Sequence, residues 1–128
     1  MKALLSNYRQ SPRKVRLVTD AIRGKKATEA LVQLSFLPKR AADPVAKVLS
    51  SAIANAKAQG ADPETMVVHR AEVNAGYTLK RSMPRARGRA FQILKRTSNV
   101  YIELGQAPQK AAKQKGKSKG TKAPKAAK

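Results

Sequence analysis

Through the first half of the chain the apolar residues recur at helical spacing, and after Pro63 the period shortens towards two. Ser11 followed by Pro12 offers an N-cap and an N1 proline. Val15, Val18 and Ile22 then repeat three and four residues apart before Gly24, which predicts a short amphipathic helix. Thr28 is placed to cap a second helix, with Glu29 in its first turn, Leu31 and Leu34 on one face and Pro38 beyond its end. The longest stripe, Val45, Val48, Leu49, Ala52, Ile53 and Ala56, predicts a helix over residues 41–59, ahead of Gly60. Pro44 must lie in its first turn, where no helical donor is lost.

Residues 66–75 are rich in β-formers, with Val67, Ala71, Val73 and Ala75 on one face and His69 interrupting it; over 97–104, Val100, Ile102 and Leu104 alternate with Asn99, Tyr101 and Glu103. A third strand is expected over residues 3–9. The pattern therefore predicts an α+β fold: three helices on a small three-stranded antiparallel sheet, one domain over residues 1–105.

Charge changes this picture. The 28 Lys and Arg against 7 Asp and Glu give a formal net charge of +21, which opposes compaction and calls for a polyanionic partner. Residues 106–128 hold eight Lys, no acid and no large apolar side chain, so a disordered basic tail is expected there. Without those lysines the rest still carries 20 basic residues against 7 acids, a net of +13. The folded part is itself a polycation.

Between the two later strands, residues 80–96 read KRSMPRARGRAFQILKR, with seven basic residues, no acid and no apolar periodicity. So long a connection is uncommon in a compact domain unless it is functional or disordered. It cannot fold back on a body of the same sign. Continued as a ribbon from its flanking strands, each arm of about 15 residues would reach roughly 50 Å. All 11 Arg precede the tail, five of them between Arg81 and Arg96, whereas the tail uses Lys alone. Arg presents a planar fork suited to fixed phosphate contacts, and Lys a hydrated point charge suited to diffuse neutralisation. Gly88 permits a tight reversal at positive φ. Ordering such a ribbon costs about 1 to 2 kcal/mol per residue, so it is expected to take its shape from the nucleic acid around it. A second basic group, Arg9, Arg13, Lys14 and Arg16, adjoins the start of the first helix, whose free N–H groups also attract phosphate. Tyr77 and Phe91 flank the basic segment and could stack on bases.

Catalysis and metal binding find no support. No Cys is present, and His69 is the one histidine. The near pair of acids, Asp62 and Glu64, falls in a turn with no base around it. Residues 24–28 lack the first glycine of a phosphate loop and have no strand before them. No cofactor is expected. No apolar run of membrane length occurs, and residues 1–5 fall short of a signal-peptide core, so a cytoplasmic protein is expected, without a membrane partner. Five aromatics are too few for a sheet that stacks several single-stranded bases; shape and phosphate recognition of folded RNA fits better. The competing reading is a DNA-compacting, nucleoid-type protein that works through its Lys-rich tail.

The strings SPRKVRLV (residues 11–18), IRGK (22–25), VAKVLSSAIANA (45–56) and above all LKRSMPRARGRAFQILKRTSN (79–99) resemble the bacterial L-twenty-two family of large-subunit ribosomal proteins. The likeness covers nearly all of residues 1–104, in order and at family spacing. It implies a small α+β domain on the outside of the large subunit and a long protruding β-hairpin, about residues 66–104, that penetrates ribosomal RNA. The hairpin tip, by resemblance Met83, Pro84, Arg85, Ala86, Arg87, Gly88, Arg89 and Ala90, would form part of the wall of the nascent-peptide exit tunnel. RNA contacts are implied for Arg9, Arg13, Lys14, Arg16, Lys80, Arg81, Arg85, Arg87, Arg89, Lys95 and Arg96. Implied partners are large-subunit rRNA, neighbouring ribosomal proteins at the tunnel and the nascent polypeptide, with a role in assembly and no homo-oligomer. Phe91 and the Lys/Ala tail depart from the family pattern.

Overall fold

The computed structural model describes residues 1–106. The tail expected over 106–128 lies, but for its first residue, outside the described residues. The order is β1 (Lys2–Tyr8), α1 (Pro12–Ile22), α2 (Ala27–Phe36), α3 (Ala42–Ala58), β2 (Met66–Pro84), a single 3-10 turn (Ala86–Gly88) and β3 (Ala90–Gln106). The strands form one antiparallel sheet in the order β1-β3-β2, so the last strand lies between the other two.

The helices cover one face of the sheet. Val15, Val18 and Ile22 of α1, Leu34 of α2, and Val45 and Leu49 of α3 are buried against Val100, Ile102 and Leu104 of β3. Each such aliphatic side chain contributes about 1.5 to 3 kcal/mol by leaving water. The opposite face is solvated: Leu4, Tyr101 and Glu72 lie side by side in register across the three strands, with Arg70 over the Tyr101 ring at 5.9 Å.

Two local expectations are corrected. The second helix starts one residue before Thr28: Lys26 is its N-cap and Thr28 sits in the first turn, while Ser11 does occupy the N-cap of α1. There it is the Ser11 carbonyl that accepts, from Lys14 N–H at 3.0 Å and Val15 N–H at 3.3 Å. In β2 the buried residues are Met66, Val68, Ala71 and Val73, not Val67 and Ala75. The register shifts between Val68 and Arg70, so one extra residue at His69 moves the inward face from even to odd positions. The interruption that His69 made in the sequence pattern is that bulge.

The outer edge of β2 is covered by α1 and the turn that follows it. Gly24 N–H donates to the Val68 carbonyl and Val68 N–H to the Lys25 carbonyl, both at 2.9 Å. Further along, Arg23 donates to the Ala71 carbonyl at 2.8 Å, and Arg16 donates to the Val73 carbonyl through Nε at 3.2 Å and Nη2 at 3.0 Å. Guanidinium groups thus occupy acceptors that an open edge would offer to another strand.

Candidate nucleic-acid interface

Past the body, β2 and β3 continue as a two-stranded finger, paired residue by residue from Thr78↔Arg96 to Pro84↔Ala90. Residues 78–84 of one arm span about 20 Å at ~3.3 Å per residue. The alternation missing from the sequence has a physical reason. Neither face of the ribbon is covered, so nothing imposes a buried side, and residues 81–92 are all exposed. The two arms pair with one another along the whole length of the finger.

The reversal lies where the sequence places it and uses one more left-handed residue than expected. Gly88 has φ +69° and Arg87 has φ +59°, while Arg85 N–H donates to the Arg89 carbonyl at 2.8 Å and closes the loop. Holding a non-glycine residue there costs about 1 to 2 kcal/mol, a strain stored at the exposed Arg87. Just below, Met83 and Phe91 face one another in register and the Arg85 guanidinium lies 5.6 Å from the Phe91 ring centre. Phe91 is 58% exposed, so it both braces Arg85 and keeps an open ring face. Tyr77, at the finger's base, is 72% exposed.

At that base a cleft of about 580 Å³ opens between the start of α1 and β3, lined by Arg9, Lys14, Arg40, Lys95, Arg96 and the apolar Leu79 and Leu94. A neighbouring hollow of about 340 Å³ adds Arg13 beside Arg96, Ser11 and Pro12. The fold therefore brings the two basic groups of the sequence together: Arg9, Arg13 and Lys14 meet Lys95 and Arg96, and Lys80, Arg81, Arg85, Arg87 and Arg89 follow along the exposed finger, on both of its faces. Arg16 does not line this cleft, because its guanidinium is turned to the Val73 carbonyl.

Sequence reasoning missed Arg40. It sits in the α2–α3 connection, whose carbonyl accepts from the Tyr8 hydroxyl at 3.3 Å. The Lys39–Arg40 pair was visible as charge, but only the tertiary fold brings it to Arg9.

No acid lines either hollow. Asp20 pairs with Arg23, Glu72 pairs with Arg70 at 2.7 Å, and Glu103 accepts from the Tyr101 hydroxyl at 3.2 Å. The Glu72 carboxylate, by hydrogen bond and charge, raises the Arg70 guanidinium further above its ordinary value. Among the described residues no group of three or more His, Asp or Glu could hold a metal ion.

Body, cleft and finger together define a class: a small α+β protein with a basic cleft and a protruding, strongly basic β-finger. Comparison with known proteins gives that class its family. The family described as ribosomal protein L22p/L17e matches residues 3–105. The large ribosomal subunit protein uL22 of Microcystis aeruginosa is 52% identical over 105 residues, covering 81% of this chain and 88% of that protein. Its counterpart in Herpetosiphon aurantiacus is 53% identical over 102 residues (79% and 90%), and that of Anaeromyxobacter sp. strain K is 48% identical over 107 (82% and 73%). The chain belongs to the ribosomal protein L22p/L17e family. It is thereby a structural, non-enzymatic constituent of the large subunit of the cytoplasmic ribosome.

Proposed function

We propose that the basic cleft anchors this protein to large-subunit rRNA and that the finger threads the RNA to bring its tip to the wall of the nascent-peptide exit tunnel. The observation that carries the reading is the finger itself: seven cations and no acid on an uncovered ribbon that the body neither packs nor neutralises. A ribbon of this kind has no stabilising role inside the chain, and its charge is compensated only when phosphate lies on both of its sides. Arg9, Arg13, Lys14, Arg40, Lys95 and Arg96 neutralise phosphates around the cleft, with the first N–H groups of α1 alongside. Lys80, Arg81, Arg85, Arg87 and Arg89 do so along the finger. Met83, Pro84, Ala86, Gly88 and Ala90 give the tip a small apolar surface that a passing polypeptide and neighbouring ribosomal proteins would meet. Arg16 contributes indirectly, by holding α1 to the sheet.

The test is sedimentation of the tagged full-length chain with large subunits through sucrose at high salt. Arg85→Glu, Arg87→Glu and Arg89→Glu together should remove the protein from the subunit peak while leaving thermal unfolding of the free chain nearly unchanged. Retention in that peak would refute the reading.

A further inference from the structure

The sheet loses its regular register at one level only on both sides of β3. β1 shifts between Leu5 and Tyr8, β2 shifts between Ala75 and Thr78, and Ser98 of β3 pairs with both Tyr8 and Ala75. The central strand runs through this level without a break. Below it Val73 and Val100 are buried in the body; above it the finger begins.

The residues at this level are polar or lack a side chain, and they are tied to one another. Asn7 adopts φ +54°, and its N–H donates to Asn99 Oδ1 at 2.8 Å. The Thr97 hydroxyl donates to the Tyr77 carbonyl, inside the β2 bulge, at 2.6 Å. Gly76 lies between these ties: a Cβ there would stand 2.5 Å from Thr97 Oγ1 and 3.3 Å from Asn99 Oδ1. Bulges bend and twist the strand that carries them, and a two-stranded ribbon with no third layer beneath it would bend easily at such a point.

We infer that Thr97, Asn99, Asn7 and Gly76 form a lock that fixes the direction of the finger relative to the basic cleft. The purpose of the lock rests on the RNA-threading reading; its existence does not. Thr97 also lines the cleft, so the residue that holds the bulge belongs to the surface by which the body is anchored. Leverage makes the angle matter. The tip stands about 23 Å beyond Thr78 at ~3.3 Å per residue, so a bend of about 10° would carry it about 4 Å, more than a hydrogen bond's length. Thr97, Asn99, Asn7 and Gly76 are thus positioning residues for arginines that lie far from them.

The chain has no Cys, so Lys47→Cys on α3 and Ala86→Cys at the tip allow two nitroxide labels on the full-length protein, with the distance between them read by pulsed electron spin resonance. Thr97→Val, which keeps the side chain's shape and removes its donor, should broaden the distance distribution about twofold, and Gly76→Ala should do the same by displacing Thr97. Thr97→Ser should restore the narrow distribution. Incorporation into large subunits should fall with Thr97→Val and return with Thr97→Ser, at unchanged thermal midpoints. A narrow distribution in Thr97→Val would overturn the lock, as would loss of folding in both Thr97→Val and Gly76→Ala, which would assign these residues to the body's stability; full incorporation despite broadening would overturn its role in placing the arginines. If instead the arginine charge reversals left incorporation intact, the RNA reading would fail while the spin-label widths still decided whether the lock exists.

Discussion

Arg16 and Arg23 illustrate what a guanidinium can do besides meet phosphate. Arg16 lies on α1 and Arg23 caps its C-terminal end in a strongly basic protein, yet each donates to a carbonyl at the edge of β2. Replacing both with Met keeps much of the aliphatic stem and uncovers two acceptors. The double variant should lose about 1 to 3 kcal/mol in urea unfolding and scatter more light as the bare edge finds partners. Tyr101 gives a second residue-level expectation. Partial burial, and then the Glu103 carboxylate beside it, raise its phenol above the ordinary value of 10.0. A folded-state pKa above the unfolded one means that the neutral phenol's contribution is whole below pH 10 and is lost as pH rises through the raised value. Tyr101→Phe should therefore flatten the alkaline limb of the unfolding-midpoint profile; an unchanged limb would show that the phenol plays no part in it.

At the scale of elements, the three helices and the two main strands were legible because periodicity reports a buried face, whereas the long hairpin was legible only through its charge and the family resemblance. Where burial and periodicity part company the sequence is silent. One extra residue at His69 reverses which face of β2 is inward, and no propensity announces it. The finger shows the opposite failure, a long strand without alternation because neither side is covered. Charge was legible in sign but not in use: the same pattern that placed Arg9, Arg13 and Lys14 at the cleft also offered Arg16, which the fold turns to a carbonyl, and gave no hint that Arg40 would join them. The finger's own expectation is quantitative. Neutralising Arg85, Arg87 and Arg89 with Gln should reduce the slope of log affinity against log salt by about 2 to 3 for a large-subunit rRNA fragment, one counterion per lost phosphate contact.

For the whole molecule the question is which basic segment commands binding. If the folded surface does, truncation after Gly105 leaves binding in place and lowers only the salt slope, since up to eight tail lysines no longer release counterions. If the tail alone drove association, as in a DNA-compacting protein, the truncated chain would lose its affinity altogether. Affinity for rRNA and for duplex DNA, each measured across a salt series with and without residues 106–128, separates the two. Retention of RNA binding with a shallower slope is expected.

The strand order has a consequence for how such a chain comes into being. β1 leaves the ribosome first but pairs only with β3, and the Met1 ammonium donates to the Leu104 carbonyl 103 positions away. Until β3 is synthesised, the helices have no central strand to cover and their apolar stripes face water. Maturation of this protein is therefore expected to end in a late closure, slow for its size, because its decisive pairing spans almost the entire described chain.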